Sequence, residues 1–405
     1  MFSTTRVLRA ALLLFALASR APAQDSTAHS SYEVLQSAKL GARRGIYVVT
    51  PEGYHTSTAS YPVLVLLDAD DRAQFNLALA NAAFLANRGS VPPLLVGGIT
   101  NGQDRTHDLT PMATGATAAR FGTAGGSSAF ADFIVDEVLP TVRARYRTLP
   151  AKLLAGHSFG GLFVLVVAAR RPGAFVGIIA MSPAMWWNDS SVVADYADAI
   201  AKSPARLRLF TTSGGLEPEI DRTTQRFARR LEASRPATVA FAYRRYADDT
   251  HVLTPSPSFV DGLRFMFAPL ALTSLPISRL SASSDSATVV KAVLATEVQY
   301  RDGAKFFGLP ERLPESQLNF LGYNVLQELR KPDLAIWVFA RNVALYPEST
   351  NVYDSLGDGY LAKGDSAAAK ALFRKSVDVA RSAGVAAQQE TLEKLAKLEK
   401  LERPR

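Results

Sequence analysis

Ser158 lies in the pentapeptide G-H-S-F-G at 156–160, which has the G-x-S-x-G spacing of a serine nucleophile on a sharp turn. An apolar run at 153–155 precedes it, and a helix-like apolar run at 162–169 follows it. The flanking glycines permit a tight turn and a close approach of strand and helix, which pushes the serine hydroxyl into a cleft. The pattern therefore predicts a strand, a turn carrying a nucleophilic Ser158, and a helix. The alternative is a glycine-rich structural turn with an inert serine.

A serine nucleophile needs a base that takes its proton and an acid that orients the base. In proteins with this turn, the acid and then a histidine follow the serine along the chain. The sequence contains five histidines, of which only His251 lies beyond Ser158. We therefore predict His251 as the base, with an ordinary surface-loop histidine as the alternative. His157, inside the turn motif, is expected to pack beside the nucleophile and to border the substrate.

The orienting acid is expected just beyond the C-terminal end of the strand-like run at 207–212. Glu217 is the first candidate at this place, and Asp221 is the second. Asp248 and Asp249 are less suitable because they lie so close to the histidine in sequence. An exposed loop glutamate is the alternative interpretation of Glu217.

Two backbone N–H groups are expected to stabilise the oxyanion formed when the serine attacks a carbonyl. One belongs to Phe159, which opens the predicted helix and so has a free N–H. The other is expected in the loop after the run at 63–67, from Ala69 or Asp70. This loop contains three aspartates, but it has neither histidine partners nor calcium-loop spacing, so we expect no metal there. Asp68 is instead expected to cap the following turn.

Seven short apolar runs alternate with helix-like segments between residue 32 and about residue 270. These runs lie at 46–49, 63–67, 94–99, 153–155, 178–181, 207–210 and 239–243. A helix is predicted at 129–145, where apolar residues recur at helical spacing. Strands that alternate with helices predict an α/β fold with a mainly parallel central sheet over 32–270.

The remainder, 274–405, is rich in alanine and leucine and lacks strand-like runs, which predicts an all-α domain. The letters P-E-S recur at 314–316 and 347–349, and L-G recurs at 321–322 and 356–357. A period near 34 resembles tetratricopeptide repeats, which are stacked helix hairpins. The region is predicted either to bind a protein partner or to be an appendage that only packs on the α/β domain.

The N-terminus has the pattern of a secretory signal peptide at 1–23. Two arginines precede an apolar run at 10–18, and small residues at 21–23 suit cleavage. A polar stretch at 24–31 is predicted to be a disordered linker. The apolar run is too short for a stable membrane span, although a retained anchor is the alternative. We therefore expect export to a periplasm or to the exterior, without a stable membrane anchor.

Composition excludes several other classes of protein. There is no cysteine among the 405 residues, so disulfides and a thiol nucleophile are excluded. The 48% hydrophobic content supports a substantial core. The formal charge is +8, and it falls to +5 without the three arginines of the predicted signal peptide. This charge is modest for the length, and no basic block is interleaved with aromatic residues. We therefore expect no nucleic-acid partner.

Five elements, spread over the α/β segment, carry a resemblance to a known family. They are P-V-L-V-L-L-D at 62–68, D-R-T-H-D-L-T-P at 104–111, G-H-S-F-G-G at 156–161, S-P-A-M-W-W at 182–187, and His251. On these elements, residues 32–267 resemble the putative esterase family, the esterase D-like or enterochelin-esterase-like group of α/β-hydrolases. Two departures are Ala69 and Val252, which stand where the family usually has glycine.

The resemblance implies ester hydrolysis by a triad of Ser158, Glu217 and His251, without a cofactor. It also implies that Trp186 and Trp187 lie near the acyl or aromatic part of a substrate, with ordinary packing as the alternative. Family members act on siderophore lactones, S-formylglutathione and feruloyl or acetyl esters, and some transfer acyl groups to sugars.

The sequence thus predicts an exported serine hydrolase that cleaves small-molecule carboxylic esters through an acyl-enzyme. Two alternatives stay open. One is an acyltransferase with the same fold, in which a sugar or alcohol replaces water. The other is a non-catalytic protein that binds a partner through its helical repeats.

Overall fold

The computed structural model describes residues 29–56, 59–271 and 276–401. The predicted signal peptide at 1–23 and most of the predicted linker lie outside these residues. The linker prediction is wrong at its end, because Ser30 and Ser31 belong to the first strand of the sheet, where they pair with Val49 and Val48.

In these three segments, eight strands form one sheet in the order β1-β2-β4-β3-β5-β6-β7-β8. The strands are β1 Ser30–Gln36, β2 Arg43–Val49, β3 Tyr61–Leu66, β4 Leu95–Ile99, β5 Thr148–His157, β6 Gly177–Met181, β7 Leu207–Gly214 and β8 Val239–Tyr246. β1 and β2 are antiparallel to their neighbours, and all other pairs are parallel. The mainly parallel sheet predicted from the sequence is therefore confirmed, and each of the seven apolar runs overlaps a strand.

Within the described residues, nine α-helices accompany the sheet. They are α1 Arg72–Asn87, α2 Arg105–Leu109, α3 Gly115–Arg120, α4 Ser127–Phe133, α5 Leu139–Arg145, α6 Phe159–Arg170, α7 Ser191–Ala201, α8 Pro218–Ser234 and α9 Pro255–Phe267. α4 and α5 are joined by a wider π turn, Ile134–Val138, and together they form the helix predicted at 129–145. Pro140 explains the π turn, because its ring would clash with a preceding carbonyl in regular helix geometry.

The helices cover both faces of the sheet, so its central strands are buried on both sides. β3, β4 and β6 are buried at every position, as expected for parallel strands between two helical layers. α4 to α8 pack on one face, and α1 and α9 pack on the other. Among the described residues, no helix is both long enough and apolar enough to cross a membrane.

Six further α-helices lie in the described part of the C-terminal region, 276–401. They are α10 Ser286–Phe307, α11 Glu315–Tyr323, α12 Pro332–Leu345, α13 Thr350–Lys363, α14 Ser366–Ser382 and α15 Gln389–Leu401. This region shares a hydrophobic core with the α1 and α9 face of the sheet. For example, the rings of Phe267 and Phe307 lie 4.9 Å apart between centroids. The change in composition near residue 274 therefore does not coincide with a break in packing.

The recurring L-G motif has a physical basis in the helical region. A Cβ atom at Gly322 would collide with the ring of Phe339, and one at Gly357 would collide with the ring of Phe373. The two glycines are 35 residues apart and the two phenylalanines 34 apart. The same close helix approach thus occurs twice at the predicted period, although the assignment to tetratricopeptide repeats stays a prediction.

Candidate active site

Ser158 is the single residue between the end of β5 and the start of α6. Its backbone has φ 62° and ψ −117°, a strained conformation for a residue with a side chain. The turn is tight, because a Cβ at Gly156 would collide with the backbone of Gly160. The strand, turn and helix predicted from the pentapeptide are therefore present.

Two more residues with left-handed backbones lie beside Ser158. Asp68 follows β3 with φ 57°, and Ser182 follows β6 with φ 42°. Because β3, β5 and β6 are adjacent in the sheet, these three positions form a row at its carboxyl edge. Strained backbone gathered at one edge is typical of a functional site.

His251 lies in the loop between β8 and α9, and its imidazole bridges two predicted site residues. Its Nε2 atom is 2.9 Å from Oγ of Ser158, and its Nδ1 atom is 2.6 Å from Oε2 of Glu217. The structure thus brings together the three side chains that the chain order selected. His251 remains about one third exposed on its side chain, so a ligand can reach this bridge.

Glu217 is only 8% exposed. Burial acts to raise the pKa of this carboxyl, but hydrogen bonds from His251, Ser182 and the N–H of Gly214 together lower it below its ordinary value. The carboxylate is therefore ionised at neutral pH and accepts a hydrogen bond from Nδ1–H of His251. The Nε2 atom is then the acceptor for the Ser158 hydroxyl.

Asp221, the second candidate for the orienting acid, is engaged elsewhere. Its carboxylate accepts hydrogen bonds from Ser213 at 2.6 Å and from Arg245 at 2.8 Å. Gln225 and Tyr243 also bond to it. That alternative is wrong, because the carboxylate bonded to the histidine belongs to Glu217.

The two candidates for the second oxyanion donor differ in their hydrogen bonds. The N–H of Ala69 already donates to the carbonyl of Ile99 at 3.0 Å, so the prediction for Ala69 is wrong. Asp70 follows on the same loop and is exposed. Its side chain accepts from the N–H of Asn101 at 2.9 Å. Asp70 and the helix-opening Phe159 therefore remain as the donor candidates.

The loop after β3 is held by an ion pair. Nε and Nη2 of Arg105 lie 2.5 and 2.8 Å from the carboxylate oxygens of the buried Asp68. Nη2 also donates to the carbonyl of His157 at 3.3 Å, which links this loop to the serine turn. The side chain of Asp71, not that of Asp68, caps α1. In the described part of the chain, no three histidine or acidic side chains are arranged to hold a metal.

Aromatic rings surround Phe159, the residue after Ser158, on the side of α3. The ring of Phe159 lies 5.7 Å from Phe121 and 6.0 Å from Trp186. Trp186 is half-buried, and the guanidinium of Arg120 lies 5.9 Å from its ring centroid. The predicted substrate contact of Trp187 is wrong, because its side chain is fully buried (0% exposed) in the core.

His157 is mostly buried next to His251. Its Nε2 atom lies 2.9 Å from the backbone carbonyl of His251, and the two rings are 4.4 Å apart. Burial, followed by the proximity of His251, lowers the pKa of His157 to about 4. The sequence predicted packing and substrate contact here, but not this hydrogen bond.

Ser182 and Thr254 are the polar residues that the sequence analysis missed. The hydroxyl of Ser182 bonds to Oε1 of Glu217 at 2.6 Å and lies 2.8 Å from that of Thr254. The signal for Ser182 was its position at the head of the S-P-A-M-W-W segment, directly after an apolar run.

The fold and the arrangement of serine, imidazole and carboxylate are those of α/β-hydrolases. Within this class, a sequence model described as putative esterase matches residues 37–258, more than half of the chain. The protein belongs to the putative esterase family.

Curated relatives include two siderophore esterases. The siderophore triacetylfusarinine C esterase of Aspergillus fumigatus is 32% identical over 153 residues, covering 35% of this chain and 50% of the relative. The ferri-bacillibactin esterase of Bacillus subtilis is 29% identical over 178 residues, covering 39% of this chain and 61% of the relative. The chain thus spans about half to three fifths of the length of these relatives.

Solved structures support the fold. An IroE-like serine hydrolase from Shewanella oneidensis superposes with a TM-score of 0.61 at 25% identity, covering 74% of this chain and 95% of that one. An uncharacterised protein from Capnocytophaga ochracea superposes with a TM-score of 0.61 at 15% identity. This superposition covers 92% of the present chain and 100% of the other one. The second likeness shows the fold alone, and it extends into the helical region.

Proposed function

We propose that this protein is a serine esterase in which Ser158 attacks, His251 transfers the proton and Glu217 orients the imidazole. The observation that carries the proposal is the unbroken hydrogen-bond chain from Oγ of Ser158 through both nitrogens of His251 to Oε2 of Glu217. The strained backbone of Ser158 supports it, because this conformation presents the hydroxyl at the edge of the sheet.

In the first half of the reaction, Oγ of Ser158 bonds to the ester carbonyl carbon while its proton passes to Nε2 of His251. The N–H groups of Phe159 and Asp70 donate to the resulting oxyanion. The intermediate collapses, the ester C–O bond breaks, and His251 returns the proton to the leaving alkoxide. Water then attacks the acyl-enzyme by the same steps, which releases the acid and restores the serine.

The substrate class is proposed to be that of siderophore esters or similar bulky aryl or acyl esters. The names of the curated relatives support this class. The rings of Phe121, Phe159 and Trp186 beside the nucleophile provide an apolar wall for a large acyl group. We also propose that the protein is exported, as the N-terminal pattern suggests, and that the helical region binds a protein partner.

Labelling with a fluorophosphonate tests the nucleophile. The wild type should label at a single serine, Ser158→Ala should not label, and the exposed Ser281→Ala should label like the wild type. Ester hydrolysis should fall by about 10³-fold or more in Ser158→Ala. A folded wild-type protein that neither labels nor hydrolyses any ester would refute the proposal.

A panel of esters then tests the substrate class. Nitrophenyl esters of increasing acyl size should be compared with a trilactone and with a linear siderophore ester, each with and without bound iron. We expect kcat/KM to be highest for the bulky siderophore esters. A strict preference for acetyl esters would contradict the proposed substrate class. Faster transfer of the acyl group to an added sugar than to water would favour the acyltransferase alternative.

A further inference from the structure

His157 hydrogen-bonds to the backbone of His251, not to an imidazole nitrogen of that residue. Nε2 of His157 lies 2.9 Å from the carbonyl oxygen of His251. The hydroxyl of Thr254 is also 2.9 Å from that oxygen. A carbonyl oxygen has two lone pairs, so it can accept from both groups at once.

The chemistry of the acceptor places the proton on His157. A carbonyl oxygen has no proton and only accepts hydrogen bonds, so the 2.9 Å contact requires an N–H at Nε2 of His157. The hydroxyl of Thr254 donates to the same carbonyl oxygen. Nε2–H of His157 is therefore a donor to the backbone of His251.

The charge state of His157 is consistent with this assignment. Its ring is mostly buried against His251, with Asp68 and Arg105 as the nearest charged groups, and its pKa is lowered to about 4 by burial and by His251. A neutral imidazole has a single N–H, so the proton on Nε2 leaves Nδ1 without one. His157 is therefore a fixed donor near neutral pH and not a proton carrier.

We propose that His157 is a positioning residue that fixes the backbone of His251 relative to Ser158. His157 directly precedes the nucleophile in the chain, whereas His251 is separated from it by 93 residues. One hydrogen bond therefore ties the serine turn to the loop that carries the base. The inference rests on the proposed esterase function, because positioning matters only if His251 acts on Ser158.

A pair of matched variants tests this role. Gln and Met have similar length and shape, but only the Gln side chain has an N–H to replace that of His157. His157→Met should lower kcat by roughly 30-fold, within the range that small misplacements of reacting groups produce. KM should change less than twofold, and His157→Gln should restore kcat to within about threefold of the wild type. His55→Met, at an exposed histidine, should leave both constants unchanged.

Three outcomes would overturn the proposal. Equal kcat values for the Met and Gln variants would show that the donated proton is irrelevant. A rise in KM at unchanged kcat would make His157 a substrate contact, as the sequence suggested. Thermal unfolding of both variants should be measured alongside, because a loss of activity that follows melting temperature in both would indicate a structural role only.

A spectroscopic measurement separates this inference from the proposed function. The proton between Nδ1 of His251 and Glu217 should give a strongly downfield NMR signal in the wild type and in His157→Gln. The signal should broaden or disappear in His157→Met. If the wild type hydrolysed no ester, the proposed function would fail, and this signal would still report whether His157 orders the base. An unchanged signal in the Met variant would refute the positioning role.

Discussion

The hydroxyl of Ser182 donates a 2.6 Å hydrogen bond to Oε1 of Glu217, the carboxylate oxygen that does not face His251. Both side chains are buried, and Ser182 has a left-handed backbone at the end of β6. The bond therefore has two effects. It helps to keep the carboxylate ionised despite burial, and it turns the other oxygen toward the imidazole.

Ser182→Ala should weaken this support for the carboxylate. The lost hydrogen bond lowers the pKa of Glu217, so its removal should raise that pKa. At neutral pH, kcat should fall about tenfold, because the carboxylate holds the imidazole of His251 less firmly. A ¹³C NMR titration of the glutamate carboxyl and steady-state kinetics would measure both. Ser258→Ala, at a buried serine bonded to Thr212, is the control. Unchanged kcat and carboxyl titration would contradict this account.

Arg105 and Asp68 should be coupled in both stability and activity. Arg105→Met leaves the carboxylate of Asp68 buried without its cation, which should cost about 2 kcal/mol of unfolding free energy because Arg105 is itself partly exposed. Activity should fall as well, because the same loop carries Asp70. Adding Asp68→Asn should recover part of the lost stability. Urea unfolding and kcat of the single and double variants would measure the coupling.

The ion pair of Arg44 and Asp108 provides the matched control, because it is at least as buried and 2.7 Å long. Arg44→Met should lower stability by at least as much, because Arg44 is more buried than Arg105, without lowering kcat specifically. If both arginine variants reduced kcat equally, Arg105 would have no special connection to the site.

The pH dependence of stability should report the burial of neutral His157. The pKa of this imidazole is lowered to about 4 in the folded protein, against about 6.5 in an unfolded chain. The unfolded state therefore binds a proton first as the pH falls, and stability should decrease between about pH 6.5 and 4. The contribution of this residue is on the order of 3 kcal/mol.

His157→Gln has no such titration and should show a flatter dependence of the unfolding free energy over this pH range. The exposed His55→Gln should behave like the wild type. Urea unfolding at several pH values would measure the slopes. Parallel slopes for the wild type and His157→Gln would show that His157 is not buried in its neutral form.

Much of the fold could be predicted from the sequence because buried parallel strands are continuous apolar runs, and such runs overlap seven of the eight strands. β1 was missed because it is an edge strand with alternating exposed and half-buried residues, so it has no apolar run. Ser158, His251 and Glu217 could be selected because chain order and strand ends restrict the candidates.

The supporting contacts could not be predicted, because they join residues that are distant in sequence. Ser182 and Glu217 are 35 residues apart, and His157 and the carbonyl of His251 are 94 apart. The choice between Ala69 and Asp70 as oxyanion donor depended on one backbone hydrogen bond. The N–H of Ala69 already donates to the carbonyl of Ile99 in β4. A composition boundary likewise could not reveal that the helical region shares its core with the sheet.

This shared core predicts how the protein responds to truncation. Removing residues 276–405 would expose Phe267 and Leu270, which are buried against α10. Newly exposed apolar surface of this kind favours aggregation. We expect the truncated chain to be insoluble, or to melt well below the full chain, with its activity lost in proportion to folded protein.

A shorter truncation after Gly384 is the control for this experiment. It removes α15, which packs mainly on α14 and is held by Lys394 bonded to Asp354 and Asp358. This variant should remain soluble and retain most of its esterase activity, with a smaller decrease in melting temperature. A fragment ending at residue 275 that is soluble, unfolds cooperatively and is fully active would instead show that the helices are a separable domain, because the shared core would then be dispensable.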